Sequence, residues 1–566
     1  MSSPSTITFN ASEQPMPPVQ RLTPATYADF MRDFRMDVPE GYNFAYDFLD
    51  AEAAVDPARP AMVHVDDAGV RREYNLGYFS TQSTKLANAL QALGVGQGDR
   101  LMLILHRRVE FWVTMLALHK LGAVPVPSPA LLTPKDIVFR VQFGKIKGCI
   151  AETGVIPRVD EALPQCPDLT VRVQVGDGRA DGWHNYDAIL DAAPATPPVL
   201  ARRPGGEDPL LIFFTSGTTG MPKMVAHSHT YPLGHYVTGV YWHNLRPGDL
   251  HLTLADTGWG KAVWGKFYGQ WMAGATVFTW DFRGKFEPSR LLEMLAGHGI
   301  TSFCAPPTVY RFLVRENLAN YDLSKLRHCT TAGELLNDGV FIAWKAATGL
   351  PIYEGYGQTE TTLQLATFPW MEPKPGSIGR PTPGWDLVLM NEEGKPCPPG
   401  EEGEICVRCE QPVLGLFQGY LDEPKRTAAA RYDGWYHTGD KAWMDEEGYF
   451  FFLGRTDDLI KSSGYRIGPF EVESALITHP AVVEAAVTGV PDPERGQVVK
   501  ATVVLAPGHT PSDELTKALQ QHVKTVTAPY KYPRIVEYVG ALPKTISGKI
   551  KRAEIRLRDE GKEAQE

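Results

Sequence analysis

Apolar positions along this chain fall into two alternating rhythms. Short continuous runs such as Arg100–Leu105 and Ala123–Pro127 read as buried strands, and between them Glu110–Leu121 reads as a helix. Repeated through most of the chain, this alternation predicts an α/β fold of helix-covered β-sheets. From about Asp457 the order becomes a compact α+β pattern. A helix is predicted over Pro469–Ile477, strands at Val482–Val490 and Val498–Leu505, a helix over Ser512–Val526 and a strand at Arg534–Val539. The change follows a predicted hairpin, Lys441–Asp445 with Tyr449–Arg455, whose turn is Glu446-Glu447-Gly448. The expected organisation is a partly disordered N-terminal extension over 1–35, a large multi-subdomain body over 36–456 and a small mobile α+β domain over 457–566.

Composition narrows the class. A chain of 566 residues exceeds one ordinary core, and 43% hydrophobic with 22% charged residues is globular usage. A formal charge of −10 argues against nucleic acid, whose phosphates reward clustered Lys and Arg. Apolar runs stop short of membrane length, since Leu101–Leu105 soon meets His106-Arg107-Arg108. The Ser-, Pro- and Thr-rich start lacks a basic stretch followed by an apolar core, so the expected location is the cytoplasm. Seven cysteines give no disulfide framework. Cys406 and Cys409 form an isolated pair with no second pair or histidine couple nearby in sequence. They are read as structural, on opposite faces of a strand at Glu404–Arg408.

The sharpest chemistry follows the buried run Leu210–Phe214, which leads into Thr215-Ser216-Gly217-Thr218-Thr219-Gly220-Met221-Pro222-Lys223. Two glycines let backbone approach an anion, four hydroxyls donate hydrogen bonds and the lysine adds charge, which suits a polyphosphate. It is not a Walker A loop, because Met-Pro separates Gly220 from Lys223 and Met224-Val225-Ala226 reads as a strand rather than a helix.

This loop resembles the signature of the adenylate-forming superfamily of acyl-CoA synthetases, luciferases and peptide-synthetase adenylation domains. Other segments resemble its remaining motifs in family order: Tyr356-Gly357-Gln358-Thr359-Glu360, Tyr436-His437-Thr438-Gly439-Asp440, Gly454–Asp458, Ser463–Arg466 and Pro543–Lys549. Together they cover about residues 60–555. The resemblance implies an AMP-forming acyl-CoA synthetase, which joins a carboxylic acid to ATP, releases pyrophosphate and passes the acyl group to the thiol of CoA.

It also implies roles. Thr215 to Lys223 would hold the β- and γ-phosphates, Thr359 would donate to the α-phosphate, and Glu360 would ligate Mg²⁺, a hard cation suited to one carboxylate plus phosphate oxygens. Asp440 would take the ribose diol, with Arg455 assisting. Gly333-Glu334-Leu335 and Glu354-Gly355-Tyr356 would line the adenine. Lys549 would bridge the attacking carboxylate and the α-phosphate, stabilising charge in the first transition state. Asp457 would be the hinge about which the small domain turns for the second step. Ser463, Gly464 and Tyr465 would then line the pantetheine tunnel and Arg466 would meet phosphates. Lys524 and Lys531, beside Tyr530 and Tyr532, are candidate CoA contacts.

Five of the twelve tryptophans lie between Trp242 and Trp280. Trp264, Phe267 or Tyr268, and Trp271 recur at helical spacing, which means core packing. Asp256-Thr257-Gly258-Trp259, Ala528–Pro533 and Ser463–Pro469 resemble the medium-chain acyl-CoA synthetase subgroup, which implies an acyl pocket near Gly258, Trp259 and Lys261 and a short-to-medium linear, branched or aromatic acid. Three rival readings stay open: an enzyme that loads a carrier protein, a non-catalytic nucleotide-binding protein of the same fold, and a luciferase-type oxidation. Monomer and homodimer are equally compatible with the sequence.

Overall fold

The computed structural model describes residues 6–10, 21–215, 222–462, 465–544 and 550–559, with backbone alone at 6–10 and 466. The predicted strand–helix–strand unit folds as strand Arg100–Ile104, helix Val109–Leu121 and strand Val124–Pro127. The helix is buried on every side except at Glu110, as its all-round apolar sequence requires. Its one internal charge, Lys120, is satisfied by Asp50 Oδ1 at 2.8 Å and Thr84 Oγ1 at 2.7 Å.

That unit starts a five-stranded parallel sheet. Beside it lies a nine-stranded sheet, whose parallel centre runs through Leu250–Thr253, Ser302–Cys304, His328–Ala332 and Ile352–Tyr356. Two smaller antiparallel sheets carry the remaining motifs. In one, Pro209–Thr215 pairs with Lys223–Ser228 and then Gly419–Tyr420. In the other, Leu387–Met390, Glu402–Arg408, Trp435–Met444 and Phe450–Arg455 lie in order. The expected C-terminal order holds closely: helix Pro469–Ile477, strands Val482–Asp492 and Gly496–Leu505, helix Asp513–Val526 capped by Ser512, and strand Ile535–Tyr538.

Three expectations change. The stretch read as an N-terminal extension contributes to the main core: Phe30, on helix Tyr27–Asp33, is fully buried against Tyr241, Phe368 and Trp370. The tryptophan-rich segment is two short helices, Gly260–Gly265 and Tyr268–Met272, broken at Lys266-Phe267 where the Lys266 ammonium turns back to the Ala255 carbonyl at 2.8 Å. Cys409 lies beyond the end of strand Glu402–Arg408, so only Cys406 has a strand face, and it is buried there.

Eight of the fifteen histidines are buried. Burial strips water from the imidazolium form, and it holds His227, His229 and His251 down to about 3 and His328 to about 4. The unfolded chain takes up these protons near the ordinary value of about 6.5, the folded chain only far below it. Their contribution to stability is therefore complete above about pH 6.5 and is lost as pH falls toward 4, at up to about 1.4 kcal/mol per pH unit for each histidine. We expect the thermal midpoint to hold between about pH 8 and 6.5 and to drop steeply between about 6.5 and 4.5. A flat midpoint across that acid window would contradict this account.

Candidate active site

Thr215 and Lys223 sit opposite one another on paired strands, so the loop between them leaves and returns at one point. Its residues Ser216, Gly217, Thr218, Thr219 and Gly220 lie outside the described residues. Lys223 extends its ammonium over the Tyr420 ring, 4.6 Å from the centroid. Burial pulls its pKa down, and the Glu360 charge opposes that shift. The Tyr420 hydroxyl donates to Glu360 Oε1 at 2.9 Å. The backbone beside it is held from two sides: Phe417 N–H donates to the Glu360 carbonyl at 2.7 Å, and His227 Nε2 donates to the Thr359 carbonyl at 2.7 Å. The lysine, the acid and the hydroxyl-bearing Thr359 are thus brought together by segments far apart in sequence.

A second knot forms around Asp440, which is almost fully buried. Its Oδ2 accepts from Tyr356 Oη at 2.6 Å and from Gln358 Nε2 at 2.6 Å. Gln358 Nε2 also donates to the Thr438 carbonyl at 2.9 Å, and its Oε1 accepts from Tyr436 Oη at 2.7 Å. Arg455 is the cross-strand partner of Asp440. Burial works against its charge, but Asp440 and Glu360 outweigh that and raise its pKa. Gly439 turns the chain at φ +72°, where a Cβ would sit 3.2 Å from Arg455 Nη2.

Around these knots the sequence-predicted wall divides. Gly333 and Glu334 are exposed, and Glu334 Oε2 accepts from Thr308 Oγ1 at 2.7 Å. Leu335 turns inward onto Leu365, Ile378 and the side of Tyr356. Glu354 is buried and accepts from Leu336 N–H at 3.2 Å; burial raises its carboxyl to about 8. Gly355 makes room for Trp242, whose ring would lie 2.7 Å from an added Cβ. Lys261 donates to the Ala332 carbonyl at 2.8 Å, which ties the half-buried Trp259 turn to the Gly333 strand end. Gly258 serves close packing, since a Cβ there would come within 2.4 Å of the Pro129 nitrogen.

In the C-terminal part, Tyr465 stacks on Tyr530 with centroids 4.2 Å apart, and both rings are exposed. Lys531 is ion-paired with Glu471, and Lys524 lies over Tyr532 at 4.0 Å. Ser463, Gly464, Lys549 and the side chain of Arg466 lie outside the described residues. On the flanks of the lysine loop, Lys544 bridges Ile550 and pairs with Glu484 at 2.5 Å, while Arg552 bonds Glu473 at 2.6 Å and feels the charge of Glu334. Asn337 Nδ2 donates to the Ser474 carbonyl at 3.4 Å. The Arg552 flank and the helix carrying Ser474 therefore lie toward the Gly333–Asn337 wall. Asp457 stands between strands Phe450–Arg455 and Ile460–Ser462.

Sequence reasoning missed Tyr420 and His227. His227 was within reach, because a strand repeats every two residues and places it on the face of Lys223. Tyr420 offered no signal, since it arrives by strand pairing alone.

Residues 49–421 match the model of the AMP-binding enzyme family, and residues 471–549 match that of the AMP-binding enzyme C-terminal domain. The human acyl-coenzyme A synthetase ACSM5, mitochondrial, is 44% identical over 539 residues, covering 93% of this chain and 92% of that protein. The human ACSM3, mitochondrial, is 42% identical over 545 residues, covering 94% and 92%. Among solved structures, the anthranilate CoA ligase AuaEII in complex with anthranoyl-AMP superposes with a TM-score of 0.84 at 32% identity, covering 92% of this chain and 98% of that one. A benzoate CoA ligase from Burkholderia xenovorans LB400 gives 0.78 at 28% identity, covering 91% and 100%.

The packing behind the Tyr356–Glu360 turn can be tested by size. A Cβ on Gly357 would lie 2.3 Å from the Trp264 ring and 2.5 Å from the Thr362 carbonyl. Gly357→Ala should lower stability by about 1–3 kcal/mol, with part recovered when Trp264→Phe removes the outer ring. Thermal denaturation of the single and double variants measures this, and an alanine variant as stable as the parent would mean the ring does not back the turn.

Proposed function

The chain belongs to the AMP-binding enzyme family, and from that premise we propose that it is an AMP-forming acyl-CoA synthetase. The observation that carries this reading is the convergence of Lys223, Glu360, Gln358, Asp440 and Arg455, drawn from four separate segments, into one continuous polar site. A carboxylate attacking the α-phosphate of ATP sets anion against anion, and such a site supplies opposing charge and fixed donors. Lys223 and the loop before it take the β- and γ-phosphates. Asp440, its plane fixed by Tyr356 and Gln358, takes the ribose diol, and Thr359 faces the α-phosphate. The Gly333–Leu335 and Glu354–Tyr356 segments bound the adenine.

Mg²⁺ fits Glu360, a carboxylate that uses Oε1 for Tyr420 and has a second oxygen for a cation. The ion would neutralise phosphate charge when bound. Lys549 supplies the cation to the acyl carboxylate and α-phosphate; the support is that Arg552, just beyond its loop, feels the charge of Glu334 in the Gly333–Leu335 wall. The small domain, 457–566, turns about Asp457 between the two half-reactions, and the two family matches fall on either side of that residue. The turned domain presents Ser463–Arg466 to CoA. Tyr465 and Lys531 share one surface through the Tyr465–Tyr530 stack, and Lys524 lies nearby against Tyr532. CoA is the acceptor, in line with the printed names of the relatives.

For the acid, Trp259 and Lys261 stand at the turn joined to Ala332, and we place the acyl group there. Anthranilate and benzoate ligases among the structural neighbours support an aromatic or branched acid of modest length. No described helix is long and apolar enough to cross a membrane. The mammalian relatives are mitochondrial by name. A cytoplasmic location for this chain is our assignment, and cell fractionation decides it.

Two measurements test the reading. Lys549→Ala should cut acid-dependent pyrophosphate release by roughly 100-fold or more and leave thioester formation from supplied acyl-AMP intact. Gly464→Trp should do the reverse. Equal loss of both half-reactions in both variants would refute the two-position lid. In a screen of acids of graded length with CoA present, short-to-medium, branched or aromatic acids should give acyl-CoA and AMP; a clear preference for long-chain acids, or ADP as product, would overturn the assignment.

A further inference from the structure

Strands Glu402–Arg408 and Trp435–Met444 bring Cys406 opposite His437, and Glu404 shares the face of Cys406. His437 Nδ1 has three close heteroatoms: Glu404 Oε2 at 3.0 Å, Tyr432 Oη at 3.2 Å and Cys406 Sγ at 3.4 Å. A ring nitrogen carries one proton or one lone pair, so a single good hydrogen bond exhausts it. Three polar atoms crowding one nitrogen is poor hydrogen bonding. It is, however, the spacing of a ligand shell. A tetrahedral ion with bonds of about 2.0–2.1 Å to nitrogen and oxygen and about 2.3 Å to sulfur separates its ligands by about 3.3 Å for N···O and about 3.5 Å for N···S. The distances here fall within about 0.4 Å of both, and the donor atoms of Glu404, Cys406 and His437 all lie within 4.8 Å of one another.

We propose that Glu404, Cys406 and His437 bind one borderline-soft divalent cation of the Zn²⁺ class, at a site separate from the Mg²⁺ position at Glu360. A thiol and an imidazole select such ions over Mg²⁺ or Ca²⁺, which take oxygen ligands. Binding replaces the Cys406 proton, which leaves to solvent. A water or the Tyr432 hydroxyl completes four-coordination. The site opens on the Glu404 side, whose side chain is 24% exposed, while Tyr432 lies flat over His437 with ring centroids 3.8 Å apart. Sequence spacing hid the set because His437 follows Cys406 by 31 residues and meets it only through strand register. The isolated cysteine pair is thereby revised, with Cys406 a ligand and Cys409 not one.

The site borders the Asp440 knot. Glu404 spends its other oxygen, Oε1, on the Gly439 N–H at 2.8 Å. An ion on Oε2 and His437 Nδ1 therefore anchors the backbone on both sides of Thr438, immediately before Asp440. A bound ion should raise the thermal midpoint.

Chelator-treated protein titrated with Co²⁺ tests it. The full chain should develop a thiolate-to-metal charge-transfer band saturating at one equivalent and displaced by Zn²⁺. Cys406→Ser should abolish the band, and His437→Gln and Glu404→Gln should each weaken binding about tenfold or more. Cys397→Ser and Cys409→Ser should keep it. Each variant's midpoint in chelator is measured alongside, so loss of the band counts only in a folded chain. The wild-type titration decides independently of any variant. No band at one equivalent, or a band that persists in Cys406→Ser, would overturn the proposal.

Discussion

A single buried carboxylate holds this molecule's site in register. Asp440 sits on one sheet, while Tyr356 and the turn carrying Gln358 come from another, and all three meet at one oxygen. Taking one partner from a buried carboxylate with two short donors and an arginine across the strand costs far more than breaking an exposed ion pair, because it leaves charge unpaired in low dielectric. The geometry is therefore mutual: the Asp440 strand cannot shift without moving the Gln358-Thr359-Glu360 turn, the turn to which the proposed metal and phosphate contacts belong. Charge at one end also reaches the other, since Arg455 feels both Asp440 and Glu360.

The neighbouring polar groups extend the same logic. His227 is useful as a neutral donor, because burial denies it a second proton and commits Nε2–H to the Thr359 carbonyl. Tyr420 spends its hydroxyl on Glu360 and offers its ring face to Lys223, so one side chain positions an anion and a cation. Glu404 does similar work below the knot, holding the Gly439 turn with one oxygen while the other faces His437.

How far the chain itself disclosed this depends on the range of each interaction. Strands and helices follow local periodicity, so Pro469–Ile477 and Arg100–Ile104 were legible to within a residue. The motif residues Lys223, Glu360, Asp440 and Arg455 were legible by resemblance, and the fold does bring them together. What could not be read was pairing at long range. The meeting of Cys406 with His437, of Tyr420 with Glu360, and of Lys261 with Ala332 is decided by sheet register and loop path. The break between helices Gly260–Gly265 and Tyr268–Met272 was masked for a related reason. Apolar spacing ran on through it, while the buried ammonium of Lys266 needed a carbonyl behind it.

The contact between the C-terminal part and the rest of the chain shows how a closed site can still open. Within the C-terminal part, apolar packing is continuous through Val472, Leu476, Val487, Ala501 and Leu519, and buried pairs such as Arg552 with Glu473 lock the helix ends. Across to the large body the contacts are of another kind. They include a long 3.4 Å hydrogen bond from Asn337, the charges of Arg311 and Glu334 felt by Glu473 and Arg552, and the edge of Phe470 against the Leu335 cluster. Water can replace each polar contact at little cost, whereas the interior of the small domain has no such substitute. A body that is tight within and weakly polar at its border is built to move as a unit if it moves at all. Such a border is what the proposed two-position lid requires, because turning the domain would break few contacts and leave its interior intact.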